Sequence, residues 1–394
     1  MPGPLHGYRV VDLTAMITGP FATMILGDQG ADVIKVEPPG LGDVMRWIGT
    51  NQGGIATFWA LTNRSKRSVV LNLREPRARE LLLELVARAD VFVQNFRPGV
   101  VERLGLDEPT LRALRPDLIY VSISAFGATG PYAHKPAYDH ILQGIAGFAS
   151  AQANPATGRP EHVKNAICDK LTALVVAQGI TAALLARERG MGAQHLRANM
   201  LDASIAVLWP DAGANEVLLD PAVPRLPTLG ATYRVSDAAD GFYAVAALTD
   251  AQIHGLFRAL GRGDLVTDPR FATAQARMQN MAALAGELGN EPTQKTVAEI
   301  LAALEAEDVP CGPIWPIARV PDDPQVRANG TFLESDHPRM GRMREPRPPL
   351  AFERTPAAIS RPAPSLGQHT DEVLGDLGVD AAEIARLRAA GVVA

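Results

Sequence analysis

Five short β-branched runs, separated by helix-like stretches, fill the first 125 residues, and this alternation constrains the fold more than any other feature of the chain. Residues 8–13 (YRVVDL), 32–37 (DVIKVE), 68–73 (SVVLNL), 90–94 (DVFVQ) and 118–123 (LIYVSI) read as strands. Four are nearly continuous apolar runs, the pattern of strands covered on both faces of a parallel sheet. Between them, residues 20–29, 75–89 and 110–114 carry helical periodicity, and Pro76 is tolerated in a first helical turn. Alternating βα units predict the α/β class, with a large, doubly wound, Rossmann-like domain.

That large domain is expected to run over residues 1–220, its second half mostly helical and including helices over 169–189 and 199–218. The run PAVPRLPTLG (221–230) changes the composition, and 221–240 reads as a linker. A smaller α+β domain over 241–325 follows. It is read as a strand at 241–247, helices near 249–260, 276–287 and 294–307, and a returning strand at 311–317. Residues 326–364, Pro-rich from 344 onward, read as an extended connector. Two short helices, 370–376 and 380–389, occupy 365–394, which is expected to return to the large domain.

Several function classes are excluded at this level. A net charge of -5 over 394 residues does not provide the basic surface that phosphate neutralisation requires, so nucleic acid is not an expected partner. Cys168 and Cys311 are too few for a disulfide framework or a Cys-rich zinc site, which suits a reducing, cytoplasmic setting. The N-terminus lacks a basic segment followed by an apolar one, so no secretory signal is expected. Residues 171–186 are interrupted by Thr172, Gln178 and Thr181 and fall short of the ~20 apolar residues of a membrane span. They are read as a buried helix. The eight histidines form no H-E-x-x-H or H-x-x-x-H pair, and no metal is expected. The dinucleotide fingerprint, the P-loop and the G-x-S-x-G elbow are all absent.

Two local features carry candidate chemistry. Asn95-Phe96-Arg97-Pro98-Gly99 follows a strand end, where open α/β sheets bind ligands, and offers an amide, an aromatic face, a guanidinium and a rigid turn. A solvated loop with a buried Phe anchor is the plainer reading. Asp169 directly precedes an apolar helix and is placed at or next to its N-cap, where free N–H groups and the helix dipole favour an ionised carboxylate. It reads either as a plain cap or as an anionic nucleophile at the start of a buried helix. Cys168 has no His within five residues and reads as core packing.

The ordered set of motifs resembles the family III CoA-transferases. It comprises GYRVVDL (7–13), GPFA (19–22), GDQGADVIKVEPP (27–39) with Gly42, Asp43 and Arg46, and NRSKRSVVLNL (63–73). ADVFVQNFRPG (89–99), SISAFGATGPY (122–132), PAYD (136–139), Asp169 and PSLGQHTDEVL (364–374) complete it. The resemblance implies the two-domain CoA-transferase III fold, in which two ring-like chains interlock as a homodimer. It implies coenzyme A or an acyl-CoA as substrate, a small carboxylic acid as second substrate, and Asp169 as the catalytic residue. CoA would run past positions matching Leu71, Asn72, Leu73, Arg74, Asn95, Phe96, Arg97, Arg103, Pro136, Ala137 and Tyr138. Arg97 and Arg103 suit the CoA phosphates, because a guanidinium pairs with phosphate in a planar fork.

On that resemblance the carboxylate of Asp169 attacks the donor thioester and forms a mixed anhydride. The released thiolate then takes the aspartyl carbonyl, giving an aspartyl–CoA thioester and the free donor acid, and the acceptor acid reverses the steps. Holding the thiolate in place keeps water from competing, since effective molarities reach ~10⁵–10⁸ M. Formyl-CoA:oxalate transferases have a functional Gln where this chain has Ile17, an Arg where it has Pro38, and a glycine-rich loop in the small domain. The corresponding region here, TLGATYRVSD (228–237), has no glycine run, so larger dicarboxylic acyl groups are expected rather than oxalate. Arg234 within it reads as a surface Arg or as a partner for a distal carboxylate. The alternative is an α-methylacyl-CoA racemase, which pairs the aspartate with a His base in a G-H-D segment. Ala137-Tyr138-Asp139 stands there instead, and Tyr, with a pKa of about 10, is a poor base. A non-catalytic CoA-binding paralogue is the reading from another class.

Overall fold

The βα alternation builds a single parallel sheet. A computed structural model describes residues 1–289 and 294–394; residues 290–293, within the expected small domain, lie outside the described residues. In chain order the first elements are β1 (Arg9–Leu13), α1 (Thr18–Asp28), β2 (Asp32–Glu37), β3 (Lys66–Val70), α2 (Pro76–Ala87), β4 (Val91–Gln94), β5 (Ile119–Ser124), α3 (Asp139–Ala146), α4 (Ile167–Ala186) and β6 (His195–Asn199). The six strands lie side by side in the order β3-β2-β1-β4-β5-β6, and every neighbouring pair is parallel. Chain progression reverses at β1, so β2 and β4 lead away from it on opposite sides. That switch opens a crevice beyond the carboxyl ends of β1 and β4, where such sheets take their ligands.

Both faces of the sheet are covered, which explains the near-continuous apolar strands. On one face Val11, Ile34, Val36, Val69 and Phe92 pack against Leu81, Leu82 and Leu85 of α2. On the other, Val10, Val33, Val91, Val93 and Ile119 pack against Ala22 and Leu26 of α1 and Ala173, Val176 and Ile180 of α4. Alternate strand residues thus go to opposite layers, as the pleat requires. Ile167–Met191 is long and apolar enough to cross a membrane by length and composition. The sequence-level count of 171–186 underestimated this helix, which is 20 residues in α4 alone. Its packing on the sheet is that of a core helix.

Two further strand expectations are corrected. The third strand begins at Lys66 rather than 68 and ends at Val70, because Lys66 and Arg67 are buried and ion-paired instead of solvated. Strand β6 falls where only helix was expected; HLRAN is a polar edge strand, half exposed, with no apolar alternation to reveal it.

The described residues divide into two compact units, Met1–Pro210 with Gly330–Ala394, and Asp211–Asn329. In the second unit β7 (Ser236–Ala238), β8 (Gly241–Val245) and β9 (Cys311–Pro313) form an antiparallel sheet in the order β9-β8-β7. Helices α5 (Asp250–Ala259) and α6 (Val297–Ala306) each start with a reciprocal capping box, Thr249 with Gln252 and Thr296 with Glu299. The single helix expected at 276–287 is two, Ala274–Gln279 and Met281–Gly289. Back in the first unit, β10 (Phe332–His337) and β11 (Gly341–Pro346) form a hairpin inside the stretch read as connector. The hairpin is mostly exposed, so no apolar pattern marks it. Helices α7 (Thr370–Leu377) and α8 (Ala381–Ala389) then add Val373, Leu374, Ile384 and Leu387 to the layer that holds α2.

Candidate active site

The loop that leaves β1 starts at the sheet switch. Met16 in that loop has a left-handed φ of 70°, unusual for a residue with a side chain, and the surrounding groups hold it there. The Met16 N–H donates to Asp43 Oδ1 at 3.2 Å, and Ala15 is clamped at both ends by the Asn95 amide. The Ala15 N–H donates to Asn95 Oδ1 at 2.9 Å, while Asn95 Nδ2 donates to the Ala15 carbonyl at 2.7 Å. Asn95 follows β4, so this clamp spans the switch point. Gly19 lets α1 start immediately afterwards, since a Cβ there would sit 2.3 Å from that of Thr14.

Beneath the loop lies a fully buried charge network. Asp12 Oδ1 accepts the Thr14 N–H at 3.0 Å, and Asp12 Oδ2 accepts Thr23 Oγ1 at 2.6 Å and Lys66 Nζ at 3.0 Å. Lys66 also donates to the Pro20 carbonyl and to Asn63 Oδ1. Lys35 donates to the Thr14 carbonyl and lies 3.3 Å from Asp43 Oδ2. Burial alone would raise the Asp12 carboxyl, but Lys35 and Lys66, with the hydroxyls of Thr14 and Thr23, hold it well below the usual range. Burial pushes the Lys66 amine down to about 8, with Lys35 repelling it and Asp12 opposing the shift. Of these residues only Asp43 was named individually from sequence, as part of the family resemblance. The available signal was a charged residue inside an otherwise apolar strand, Asp12 in YRVVDL and Lys35 in DVIKVE.

Asp169 is the third residue of α4 rather than its N-cap, which is Ala166 and supplies no side-chain acceptor. The orphan N–H of Asp169 instead donates to Asp139 Oδ2 at 3.0 Å. Asp139 Oδ1 accepts Gln143 Nε2 at 2.6 Å, and that amide also reaches the carbonyls of Val163 and Asn165 ahead of α4. Thr18, the first residue of α1, donates its hydroxyl to Asp169 Oδ1. Burial pushes the Asp169 carboxyl up to about 6; the Thr18 hydrogen bond opposes the rise and the charge of Asp139 adds to it. The first-turn position therefore does not depress this acid as the dipole alone predicts, because desolvation outweighs it. The result is a partly buried carboxylate, more basic than a solvated one, with Oδ1 held by a hydroxyl. Neighbouring Cys168 is fully buried, and burial pushes its thiol up to about 11, which leaves it inert at neutral pH.

The remaining candidates are distributed along the same edge of the sheet. Asn95 reaches Asp169 indirectly, through Ala15 and the loop to Thr18. Phe96 is partly buried against the core layer, its N–H donating to Gln94 Oε1 at 2.8 Å. Arg97 and Arg103 are exposed, and Gly99, at a left-handed φ of 86°, lets the Arg103 guanidinium close over the loop. Pro136 and Tyr138 are exposed, whereas Ala137 packs in a small cluster with Leu142 and Cys168. Residues 71–74 are held by the chain's end. Leu71 is fully buried, its N–H taken by the Glu37 carbonyl, so its side chain is core. Asn72 bonds Val392 and Gly391, Leu73 packs on the core, and Arg74 is exposed. Among the described residues no group of three or more His, Cys, Asp or Glu could hold a metal ion.

Comparison with known proteins adds the family. The sequence profile described as CoA-transferase family III matches residues 5–370. A succinate–glutarate CoA-transferase of Agrobacterium fabrum is 36% identical over 387 residues, 95% of this chain and 96% of that one. An acetyl-CoA:oxalate CoA-transferase of Acetobacter aceti is 36% identical over 340 residues, 84% of this chain and 86% of that one. The crystal structure of a CAIB/BAIF family protein from Brucella suis superposes with a TM-score of 0.82 at 34% identity, covering 96% of this chain and 100% of that one.

Proposed function

This chain belongs to CoA-transferase family III, and from that membership and the setting of Asp169 we propose that it moves CoA from an acyl-CoA thioester to a carboxylic acid. Asp169 is the nucleophile. The observation that carries this reading is a partly buried carboxylate in the first turn of α4, with its Oδ1 held by Thr18 and its N–H by Asp139, where burial pushes the acid up to about 6. A more basic carboxylate attacks a thioester carbonyl more readily, yet at neutral pH it is still mostly ionised.

In the forward half-reaction Oδ2 adds to the donor carbonyl and expels the CoA thiolate, leaving an acyl–aspartyl anhydride. The thiolate then adds to Cγ of Asp169 and expels the donor acid, which leaves with an aspartyl oxygen. The acceptor carboxylate attacks the aspartyl thioester and the two steps run backwards. Arg97 and Arg103 pair the CoA phosphates and keep the thiolate near the anhydride. The segments 71–74, 95–96 and 136–138 line the rest of the CoA path, with Leu71 supplying backbone only. The working form is an interlocked homodimer, as the family resemblance implies.

For substrates we propose dicarboxylic acyl groups of glutarate length over oxalate. Relatives are named for each acid, but Ile17, packed beside Met16, is apolar where oxalate-type enzymes carry a functional Gln. The test is a panel of acyl-CoAs mixed with carboxylic acids in D₂O and read by mass spectrometry. A new CoA thioester of an added acid is the expected result. Deuterium at the α-carbon of an unchanged thioester would mean racemase chemistry, and no new thioester across the panel would defeat the transferase reading.

A further inference from the structure

The hydroxyl of Thr18 has a single proton to donate and one acceptor suited to it. Thr18 is buried, so water does not compete, and its other neighbour is Met200 Sδ at 3.7 Å, a weak acceptor. The proton goes to Asp169 Oδ1. With Oδ1 engaged by this hydroxyl, Oδ2 is taken as the attacking oxygen, and Oδ1 stays on Cγ as a carbonyl throughout the reaction; the Thr18 N–H adds a backbone hydrogen bond to the same carboxylate. From this geometry, and resting on the transferase reading above, we propose that the Thr18 hydroxyl is a catalytic oxyanion donor that stabilises the negative charge developing on Asp169 Oδ1 when the CoA thiolate adds to Cγ.

The step balances without any proton transfer. The thiolate sulfur forms a bond to Cγ, and the Cγ–Oδ1 π pair moves onto Oδ1. The Thr18 O–H strengthens its hydrogen bond to that oxygen. Collapse restores the carbonyl and breaks the Cγ–Oδ2 bond, so the donor acid leaves as a carboxylate carrying Oδ2. The same donor serves the reverse step, in which the acceptor carboxylate attacks the aspartyl thioester.

An oxyanion donor is effective only if it is already in place when charge develops. The loop ahead of Thr18 meets that requirement. Asn95 holds Ala15 at both ends, Asp43 holds the Met16 N–H, and Lys35 holds the Thr14 carbonyl, so the left-handed turn at Met16 cannot relax. The buried charges beneath the loop therefore act on the chemistry by positioning Thr18.

The experiment is a kinetic series on the full chain with Thr18→Val and Thr18→Ser, using the acyl-CoA and acid pair that the panel identifies. Removing one such donor costs on the order of 10²–10³ in kcat. Thr18→Val should fall by that factor with the KM for acyl-CoA within about twofold, and its acid limb should move to higher pH as Asp169 loses a hydrogen bond to its ionised form. Thr18→Ser, which keeps the hydroxyl, should recover to within about tenfold of the wild type. A Thr18→Val enzyme with kcat within about threefold and an unmoved acid limb would overturn the proposal. So would equal losses in both variants, which would mark a packing role. A wild-type chain that transfers no CoA would defeat the transferase reading itself, a different failure seen before any variant is made.

Discussion

The loops that leave β1 and β4 meet at one edge of the sheet and are built in opposite ways. After β1, Thr14 and Thr18 are buried, and the chain between them is tied by Asp43, Lys35 and Asn95 over a fully buried set of charges. After β4, Arg97, Pro98 and Arg103 stand in solvent, while Phe96 and Val101 anchor the segment to the core and Asn95 ties its start to Ala15. The first arrangement fixes one hydroxyl against one carboxylate. The second presents exposed positive charge to a ligand that arrives from water. A rigid loop suits a reacting centre, where small misplacements are costly, and an exposed cationic one suits the capture of a polyanion. Damage to the β1 side should therefore appear in turnover and stability, and damage to the β4 side in binding.

The largest effect should come from the carboxylate that the rigid loop serves. Asp169→Ala should lower transfer by at least about 10⁴-fold while CoA affinity, measured by calorimetry, stays nearly the same. Substantial residual turnover would break the comparison at its centre. Next, Asp12→Asn leaves Lys35 and Lys66 buried without their shared counter-charge. It should cost about 3–5 kcal/mol in urea unfolding, the penalty of breaking a buried ion pair. An unchanged midpoint would mean that the network does not hold the loop.

On the exposed side the expected losses are smaller and of another kind. Replacing Arg97 and Arg103 by Ala should raise the KM for acyl-CoA about tenfold with little change in kcat. Added salt should shrink that difference, because exposed charges are screened. A fall in kcat instead would show that the β4 loop also sets the geometry of the reaction. The mildest effect is the pH dependence of the wild type. The nucleophile must be ionised, and burial has raised its carboxyl to about 6, so the proton returns as pH falls through that value. The kcat should reach half its plateau near pH 6 and drop about tenfold per unit below it. A plateau that continues to pH 4.5 would contradict the raised carboxyl.

The same contrast separates what could be read from the sequence from what could not. Strands β1, β2, β4 and β5 were legible because burial on both faces leaves continuous apolar runs. β6 and the hairpin of β10 and β11 were not, since exposed polar strands lack that pattern. At the site, Asp169 and the arginines could be named because they stand in motif-sized segments of a family resemblance. The Thr18 hydroxyl and the Asp139 carboxylate reach Asp169 across 151 and 30 residues of sequence, and only the sheet topology brings them together. The direction of the Asp169 shift was also hidden. A first-turn position suggests a low value, and only the folded surroundings supply the desolvation that reverses it.

The central claim is that an oxygen of Asp169 takes part in every turnover, and oxygen-18 follows it directly. The wild-type chain is incubated with an unlabelled acyl-CoA and an acceptor acid whose carboxylates carry oxygen-18, and the peptide containing Asp169 is then weighed. Transfer through the aspartyl anhydride and thioester replaces one oxygen of Asp169 by an acceptor oxygen in each cycle, so that peptide gains a single oxygen-18 within the first turnover and keeps one thereafter. A new CoA thioester formed while Asp169 stays unlabelled would contradict the account.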